Sequence, residues 1–305
     1  MEKQRLSNNW KFFKGCVSSM AMMVMSGKNP DIVDLPHDAM IFENRTPDTK
    51  NGAQTGFYPG GIYTYFRELK VPSDWKDKRV IIEFEGIYET AMVYINGALA
   101  KTNLYGYSGF YIEMNPYLNY GEVNEIKVIA DNSSEENSRW YSGSGIYRYV
   151  NLYIGNKECI DLEGTRLTTV EAKEDTAKLL LQTKCRLDED NSYQLQFVLK
   201  DDKEEIAQKV IASEANGIFE GMIDVANVKL WDCETPYLYH VEISLLKNGR
   251  VTDTETFQYG IRTIEVHPGK GFLLNGKTVP FRGTCLHHDN GITGAATFHD
   301  ADRFL

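Results

Sequence analysis

The sequence predicts an all-β protein made of two successive β-sandwiches. Short runs of alternating apolar and polar residues recur along the chain, which is the pattern of half-buried strands. Asn-Gly pairs, the strongest short-range hairpin signal, follow such runs at Asn96-Gly97, Asn248-Gly249 and Asn275-Gly276. No segment shows a convincing amphipathic helical period. Short strands joined by tight turns therefore predict packed sheets.

Residues 1–157 form the first predicted domain, a sandwich or jelly roll. Its clearest strand places Val80, Ile82 and Phe84 on one face, with Ile81 and Glu83 between them. Further strand patterns in this domain cover 62–69, 93–95 and 126–130. A long stretch at 44–61 is rich in Thr, Asn, Gly and Pro and has no periodicity. It is predicted to be a loop, and long loops in compact domains are often functional.

Residues 158–266 form the second predicted domain, an immunoglobulin-like β-sandwich. Leu179, Leu181 and Cys185 lie on one face of a strand, and the same alternation begins again at Tyr193 and at Tyr239. About seven short strands in roughly 100 residues suit this architecture. The Cys…Trp…Cys framework of antibody domains is not visible in the sequence.

Composition limits the classes of function. The net charge of −10 argues against a nucleic-acid partner, which normally needs a basic face. No stretch approaches the roughly 18 apolar residues of a membrane span. Gly15–Ser26 is uncharged and raises the question of a signal peptide, although Trp10 begins a strand pattern just before it. The 5 cysteines are odd in number and widely spaced, which favours reduced thiols and a cytoplasmic location.

The stretch Trp140–Ile154 combines a Gly/Ser turn, flanking aromatic residues and a half-buried strand. Gly143 and Gly145 let the backbone take angles that are closed to other residues. Rigid aromatic rings beside such a turn suit contact with the apolar face of a pyranose. The residue spacing alone leaves open an alternative without sugar contact, in which this stretch is a packed loop between two strands.

The segment Ser138–Arg148, read S-R-W-Y-S-G-S-G-I-Y-R, resembles the motif that closes the N-terminal sugar-binding domain of glycoside hydrolase family 2. That family includes β-galactosidases, β-glucuronidases and β-mannosidases. Glu85–Gly97 and Tyr105–Phe110 are similar to other family motifs of this domain, and L-P-H-D at Leu35–Asp38 resembles a family fold landmark. The resemblance implies a galactose-binding-like jelly roll whose closing loop reaches the mouth of a catalytic barrel.

The resemblance continues into residues 267–305, predicted to be the start of a truncated (β/α)₈ barrel. Val279–Asp289 resembles the first barrel strand, with Cys285 where the family usually has Asn, and Gly291–Ala296 is similar to galactosidase-like members. The family's two catalytic Glu residues lie on later strands, so no catalytic residue is assigned and this chain is expected to be inactive alone. We expect the Asn275-Gly276 hairpin to fold locally, and residues beyond Gly283 to be mobile or held by a neighbouring molecule.

Six residues are candidates for sugar contact in the intact enzyme. Trp140 and Tyr141 belong to the closing loop, and Arg139 stands where several relatives carry an acidic residue that reaches the substrate. Arg139 could meet a sugar group or form a structural salt bridge. His287 matches a barrel-strand histidine that lines the family's sugar pocket, with a satisfied strand-end histidine as the alternative. His288 and Asp289 follow it, and adjacent strand residues face opposite ways.

Two classes of function remain open. The first is the non-catalytic front part of a β-galactosidase-like retaining glycoside hydrolase, whose sandwiches support the barrel and supply loops to its mouth. The second is a stand-alone carbohydrate-binding or scaffold module. Either reading implies a β-linked sugar or oligosaccharide as partner and requires no cofactor. No His, Asp or Glu spacing specifies a metal site, and a homo-oligomer stays open.

Overall fold

The computed structural model describes residues 1–133, 140–188, 191–212, 215–285 and 290–298. It is nearly all β, with about 9% of residues in helical turns. The chain divides into two compact units. The first unit comprises Glu2–Ile154 with Cys285–Leu305, and the second comprises Gly155–Thr284 with Met1. The predicted all-β fold class is confirmed.

The first unit is a sandwich of two antiparallel sheets. Its strands are β1 Glu2–Arg5, β2 Trp10–Lys14, β3 Asp31–Val33, β4 Ile62–Lys70, β5 Lys78–Phe84, β6 Thr90–Ile95, β7 Ala98–Asn103, β8 Phe110–Glu113, β9 Val123–Asp131 and β10 Val150–Asn156. One sheet has the order β3-β2-β4-β9-β6-β7, and the other has the order β1-β10-β5-β8. The unit also contains helix α1, Met20–Met25, and short 3₁₀ turns at Met40–Phe42, Gly52–Thr55, Ser73–Asp77, Asn115–Tyr117 and Gly291–Thr293.

The core of the first unit follows from the alternation in the sequence. Val80, Ile82 and Phe84 of β5 are fully buried, as are Tyr63 and Tyr65 of β4. Because successive side chains of a strand face opposite sides, each strand contributes every second residue to this core. Burial of these large side chains is the main stabilising contribution, at about 25 cal/mol per Å² of apolar surface removed from water.

The second unit contains the predicted immunoglobulin-like sandwich. Its strands are β11 Cys159–Ala172, β12 Thr176–Arg186, β13 Tyr193–Asp201, β14 Glu204–Ala212, β15 Ile218–Ala226, β16 Tyr239–Lys247 and β17 Arg250–Tyr259. They form sheets β11-β12-β15 and β14-β13-β16-β17, with a 3₁₀ turn at Ala215–Gly217. Leu179 and Leu181 of β12 and Leu195 and Phe197 of β13 are buried in one core.

The three predicted Asn-Gly hairpins are confirmed. Each pair has positive φ at both residues, with φ of 50° and 81° at Asn96 and Gly97 and of 50° and 75° at the two later pairs. Two consecutive positive φ values are the requirement of a type I′ turn, whose twist matches that of the flanking strands. The last hairpin joins β19, Gly271–Leu274, to β20, Lys277–Thr278, and β18, Ile264–His267, pairs with the other edge of β19.

The described C-terminal residues include one exposed, irregular segment and one buried segment. Val279–Cys285 form no regular strand, and Phe281 is 80% exposed. The expectation of a mobile segment beyond Gly283 is nevertheless wrong for Ala295 and Ala296, which are buried in the first unit. The stretch predicted to be the first barrel strand, Val279–Asp289, extends past Cys285 into residues outside the described part, so this assignment stays a prediction. The division at 157 and 266 and the truncated barrel likewise stay predictions.

Candidate functional site around Asp38

Of the six candidate sugar-contact residues, Trp140 and Tyr141 fall within the described residues, and both are half-buried. They begin the closing loop, defined here as residues 140–149. Arg139, His287, His288 and Asp289 lie outside the described residues. The assignment of all six to sugar contact therefore stays a prediction, and the geometry of the site is that of the closing loop and its neighbours.

The closing loop is fixed by the buried carboxylate of Asp38, which follows the short strand β3. Asp38 Oδ1 accepts hydrogen bonds from the backbone N–H of Met40 and of Ser144, both at 3.0 Å. Oδ2 accepts the Tyr141 hydroxyl at 2.6 Å and the backbone N–H of Ala295 at 2.9 Å. One carboxylate thus joins three segments that lie far apart in the sequence.

Glycines allow the closing loop to approach this carboxylate. Gly143 has φ of 67° and Gly145 has φ of 99°, in the left-handed region where a side chain is strained. A Cβ on Gly143 would lie 2.9 Å from Asp38 Oδ2 and would overlap the Cβ of Ala295. A Cβ on Gly145 would overlap the Tyr65 hydroxyl. The prediction that these two positions require glycine is confirmed.

The segment 290–298 packs against the closing loop. Besides the bond to Asp38, the backbone N–H of Thr297 donates to the carbonyl of Tyr147 at 3.0 Å. Ala295 is fully buried beside Tyr88 and Tyr147. Within the segment, the Asn290 N–H donates to the Gly294 carbonyl at 2.7 Å. These bonds give the segment a defined position, which is why the expected mobility is wrong there.

Aromatic rings surround the closing loop. Tyr141 meets Tyr58 edge to face with ring centroids 5.3 Å apart, and Tyr88 lies 5.2 Å from Tyr107. The Tyr147 hydroxyl donates to the carbonyl of Gly106 at 2.8 Å. The Gly-aromatic loop 105–110 and the closing loop, both singled out in the sequence, therefore lie side by side.

Burial governs the electrostatics of the site. Desolvation raises the pKa of the Asp38 carboxyl, and its four hydrogen bonds oppose that shift. Burial also lowers the pKa of His37 to about 4 and raises the pKa of Tyr147 to about 12. His37 contacts Tyr65, whose hydroxyl lies 2.9 Å from Nδ1, while Asp38 binds loop backbone. His37 and Asp38 thus serve separate contacts, which agrees with the interpretation of L-P-H-D as a landmark of the fold.

Comparison with known proteins identifies the two sandwiches. The family model "Glycosyl hydrolases family 2, sugar binding domain" matches residues 32–155, and the model "Glycosyl hydrolases family 2" matches residues 161–262. This chain belongs to glycosyl hydrolases family 2. The β-galactosidase BoGH2A of Bacteroides ovatus is 33% identical over 302 residues, covering 97% of this chain and 36% of that protein. A β-glucuronidase of Bacteroides fragilis is 31% identical over 255 residues, covering 78% of this chain and 37% of that protein.

Solved structures of family 2 members have the same fold as this chain. A glycosyl hydrolase family 2 member from Bacteroides cellulosilyticus superposes with a TM-score of 0.90 at 29% identity, over 100% of this chain and 41% of the other. The chain therefore spans little more than a third of the length of its relatives. It covers their sugar-binding and immunoglobulin-like region.

The family 2 motifs of the sequence meet in the first unit. L-P-H-D supplies Asp38, the S-R-W-Y-S-G-S-G motif supplies the closing loop, and G-I-T-G-A-A supplies Ala295. Sequence reasoning treated the first motif as a fold landmark and did not find Asp38 as the shared acceptor. It included Tyr58 in the loop 44–61 and Ala295 in the motif Gly291–Ala296, but it did not predict their contacts with Tyr141 and Asp38. The signal in the sequence was that two glycine-rich motifs accompany the carboxylate of L-P-H-D. A carboxylate accepts hydrogen bonds from backbone N–H groups readily, and glycine-rich turns can present such groups.

A pair of carboxylates elsewhere in this family 2 domain has a structural arrangement. Glu83 Oε2 and Glu85 Oε1 accept hydrogen bonds from the same Asn151 amide, at 2.8 and 2.9 Å. The Lys3 ammonium lies 3.7 and 3.8 Å from the two oxygens, and the Tyr153 hydroxyl donates to Glu83. These contacts occupy the carboxylates on the face of one sheet, so we assign them no catalytic role.

Among the described residues, no group of three or more His, Cys, Asp or Glu side chains is arranged to hold a metal ion. Cys159 and Cys185 are buried thiols, while Cys16, Cys233 and Cys285 are exposed thiols. No described helix is long and apolar enough to cross a membrane.

Proposed function

We propose that this chain is the supporting and pocket-forming part of a β-galactosidase-like retaining glycoside hydrolase that acts on β-linked sugars. The observation that carries the proposal is the convergence of three family motifs on Asp38. That carboxylate ties the closing loop to the segment 290–298, which follows the sequence that resembles a barrel strand. The relatives named above are a β-galactosidase and a β-glucuronidase.

The chemistry assigns a limited role to this chain. A retaining glycosidase needs two carboxyl groups about 5–5.5 Å apart, one as acid/base and one as nucleophile. In a (β/α)₈ barrel such groups lie at the carboxyl ends of several strands. We propose that Trp140 and Tyr141 form one wall of the sugar pocket. Asp38 is then a positioning residue, because it holds the Tyr141 hydroxyl and the backbone of Ser144 without touching the sugar.

Hydrolysis of nitrophenyl β-glycosides tests this proposal. The 305-residue chain should release no nitrophenol from the galactoside, glucuronide, mannoside or glucoside above a blank. The gene should continue as an open reading frame after the codon for Leu305, and its longer product should hydrolyse at least one of these substrates. Release by the 305-residue chain, lost on mutation of a residue in it, would overturn the proposal. A stop codon after Leu305 would favour the carbohydrate-binding module instead.

We also propose a cytoplasmic location. The five cysteines, all within the described residues, form no disulfide bonds with one another, which suits a reducing compartment. Fractionation of the source cells, followed by immunodetection of the chain, would test this, and recovery from the periplasmic or culture fraction would contradict it.

A further inference from the structure

Helix α1 contains four of the nine methionines of this chain, and the proposed function does not use it. Its six residues read M-A-M-M-V-M, which places Met20, Met22, Met23 and Met25 on one short element. The helix lies within the uncharged stretch Gly15–Ser26. Peroxides oxidise the thioether of methionine to a sulfoxide. The density of thioethers therefore makes α1 a candidate site of oxidative modification.

Two of these methionines face solvent. Met22 is 65% exposed and Met25 is 87% exposed. They are three residues apart and so lie on the same side of the helix, and we call them the exposed pair. Met40 and Met114 of the same unit are fully buried. Because oxidation requires access of the oxidant to sulfur, a dissolved peroxide reaches the exposed pair far more readily than the buried methionines.

The other two methionines attach the helix to a sheet, and we call them the docking pair. Met20 and Met23 are half-buried and pack on a cluster formed by Phe13, Val17 and Phe66. This cluster is separate from the main core of the sandwich. Phe13 of β2 and Phe66 of β4 meet edge to face, with ring centroids 6.0 Å apart. Flexible thioether side chains suit such an irregular aromatic surface.

Helix α1 depends on this docking because it is too short to be stable alone. Isolated helices of this length do not persist in water, since nucleation of a helix is costly. The N-cap residue Ser19 makes no capping bond with its side chain, and no acidic residue lies in the first turn. At the other end, the Gly27 N–H donates to the Val24 carbonyl at 3.0 Å. The Lys28 N–H donates to the Met23 carbonyl at 3.0 Å, so both amides report whether the helix is formed.

The segment that precedes α1 is anchored to strand β4 without the methionines. The Gly15 N–H donates to the Ile62 carbonyl at 2.7 Å. The Val17 N–H donates to the Thr64 hydroxyl at 3.1 Å, and this hydroxyl donates to the Gly15 carbonyl at 2.7 Å. The helix can therefore leave the sheet while the residues before it keep their hydrogen bonds, which confines the event to α1.

We propose that α1 is an oxidation site, at which a peroxide converts first the exposed pair and then the docking pair to methionine sulfoxide. In each step a sulfur–oxygen bond forms as the oxygen–oxygen bond of hydrogen peroxide breaks. The sulfur loses two electrons, and the peroxide is reduced to water. On the docking pair the polar sulfoxide faces the aromatic cluster, so the helix detaches. Methionine sulfoxide reductases reverse both steps. This inference is independent of the proposed function.

The order of oxidation is tested with hydrogen peroxide on the 305-residue chain. The chain carries Cys16→Ala, so that the exposed thiol near the helix cannot contribute. Tandem mass spectrometry follows the gain of oxygen at each methionine. Met22 and Met25 should react at least about 10-fold faster than Met40 and Met114, with the docking pair between these limits.

Release of the helix is tested by hydrogen exchange of the Ser26–Lys28 amides. Oxidation of the exposed pair alone should leave their exchange unchanged. Once the docking pair has reacted, these amides should exchange at least about 10-fold faster. Treatment with methionine sulfoxide reductases should then restore the original rates.

Two matched double variants separate the two pairs. Met20→Leu with Met23→Leu keeps apolar side chains of similar volume on the docking side, where oxidation is then blocked, so peroxide should no longer accelerate exchange. Met22→Leu with Met25→Leu makes the same change on the exposed side and should leave the release intact. The proposal is overturned if the exposed pair reacts no faster than the buried methionines, or if the docking pair resists excess peroxide. It is also overturned if exchange stays slow after oxidation of the docking pair, or if both variants respond alike.

Discussion

Replacement of Asp38 by alanine should destabilise the first unit more than any other single loss of a polar side chain near the closing loop. The carboxylate accepts three backbone N–H groups, those of Met40, Ser144 and Ala295, and all three residues are buried. Each buried donor left without an acceptor costs about 1–2 kcal/mol. The expected loss is therefore on the order of 3–6 kcal/mol in the free energy of unfolding. The Tyr141 hydroxyl adds little, because it is half-buried and can bond to water.

Replacement of Asp38 by asparagine separates the contributions of the two carboxylate oxygens to stability. With its carbonyl oxygen in place of Oδ1, Asp38→Asn still accepts from Met40 and Ser144. Its NH₂ group then faces the Ala295 N–H, which loses its acceptor. Removal of a buried charge offsets part of that loss, because burial disfavours the ionised carboxyl. We expect a loss of roughly 1–2 kcal/mol, together with faster amide exchange at Ala295.

Urea denaturation followed by tryptophan fluorescence measures the free energy of unfolding of each variant. Hydrogen exchange measures the protection of the Ala295 amide. Asp34→Ala is the control, since Asp34 also accepts a backbone N–H, from Asn9 at 2.8 Å, but is exposed. Its effect should stay within about 0.5 kcal/mol. The reasoning is refuted if Asp38→Ala matches this control, or if Asp38→Asn leaves the exchange of Ala295 unchanged.

Three further predictions concern pH, packing and thiols. His37 is half-buried with its pKa lowered to about 4 by desolvation, so it contributes stability above pH 6.5 that is lost as pH falls towards 4, roughly 3 kcal/mol in all. His37→Gln should flatten this slope in urea denaturation curves from pH 7 to pH 4.5, and an unchanged slope would contradict it. Gly60→Ala should lower the midpoint of thermal unfolding by several degrees, since its Cβ would overlap the Asn132 carbonyl; a midpoint equal to that of Gly283→Ala, where the Cβ meets open space, would show that the loop relaxes. A thiol reagent should label three cysteines rapidly and two only after denaturation, and fast labelling of all five would contradict the burial of Cys159 and Cys185.

Local pattern in the sequence was sufficient for the strands and turns. The alternation of Val80, Ile82 and Phe84 predicts a strand with one buried face, and these residues are buried in β5. Asn275-Gly276 predicts a hairpin, because few residues other than Asn and Gly accept positive φ. Both signals depend on neighbours within a few residues. For the same reason the motif at Ser138–Arg148 was specific enough to indicate the family before any contact was known.

The tertiary structure alone decided what these segments contact. Asp38 and Ala295 lie 257 residues apart, and no periodicity relates them. The sequence predicted that the residues beyond Gly283 are mobile or held by a neighbouring molecule, because the neighbours that it indicated within the protein were barrel strands. Packing of the closing loop on Asp38 instead exposes an acceptor that the Ala295 N–H reaches, and a buried donor with an acceptor is strongly preferred to one without. A sequence pattern tells which face of a strand is buried, whereas the path of a loop is set by the distant backbone groups that satisfy it.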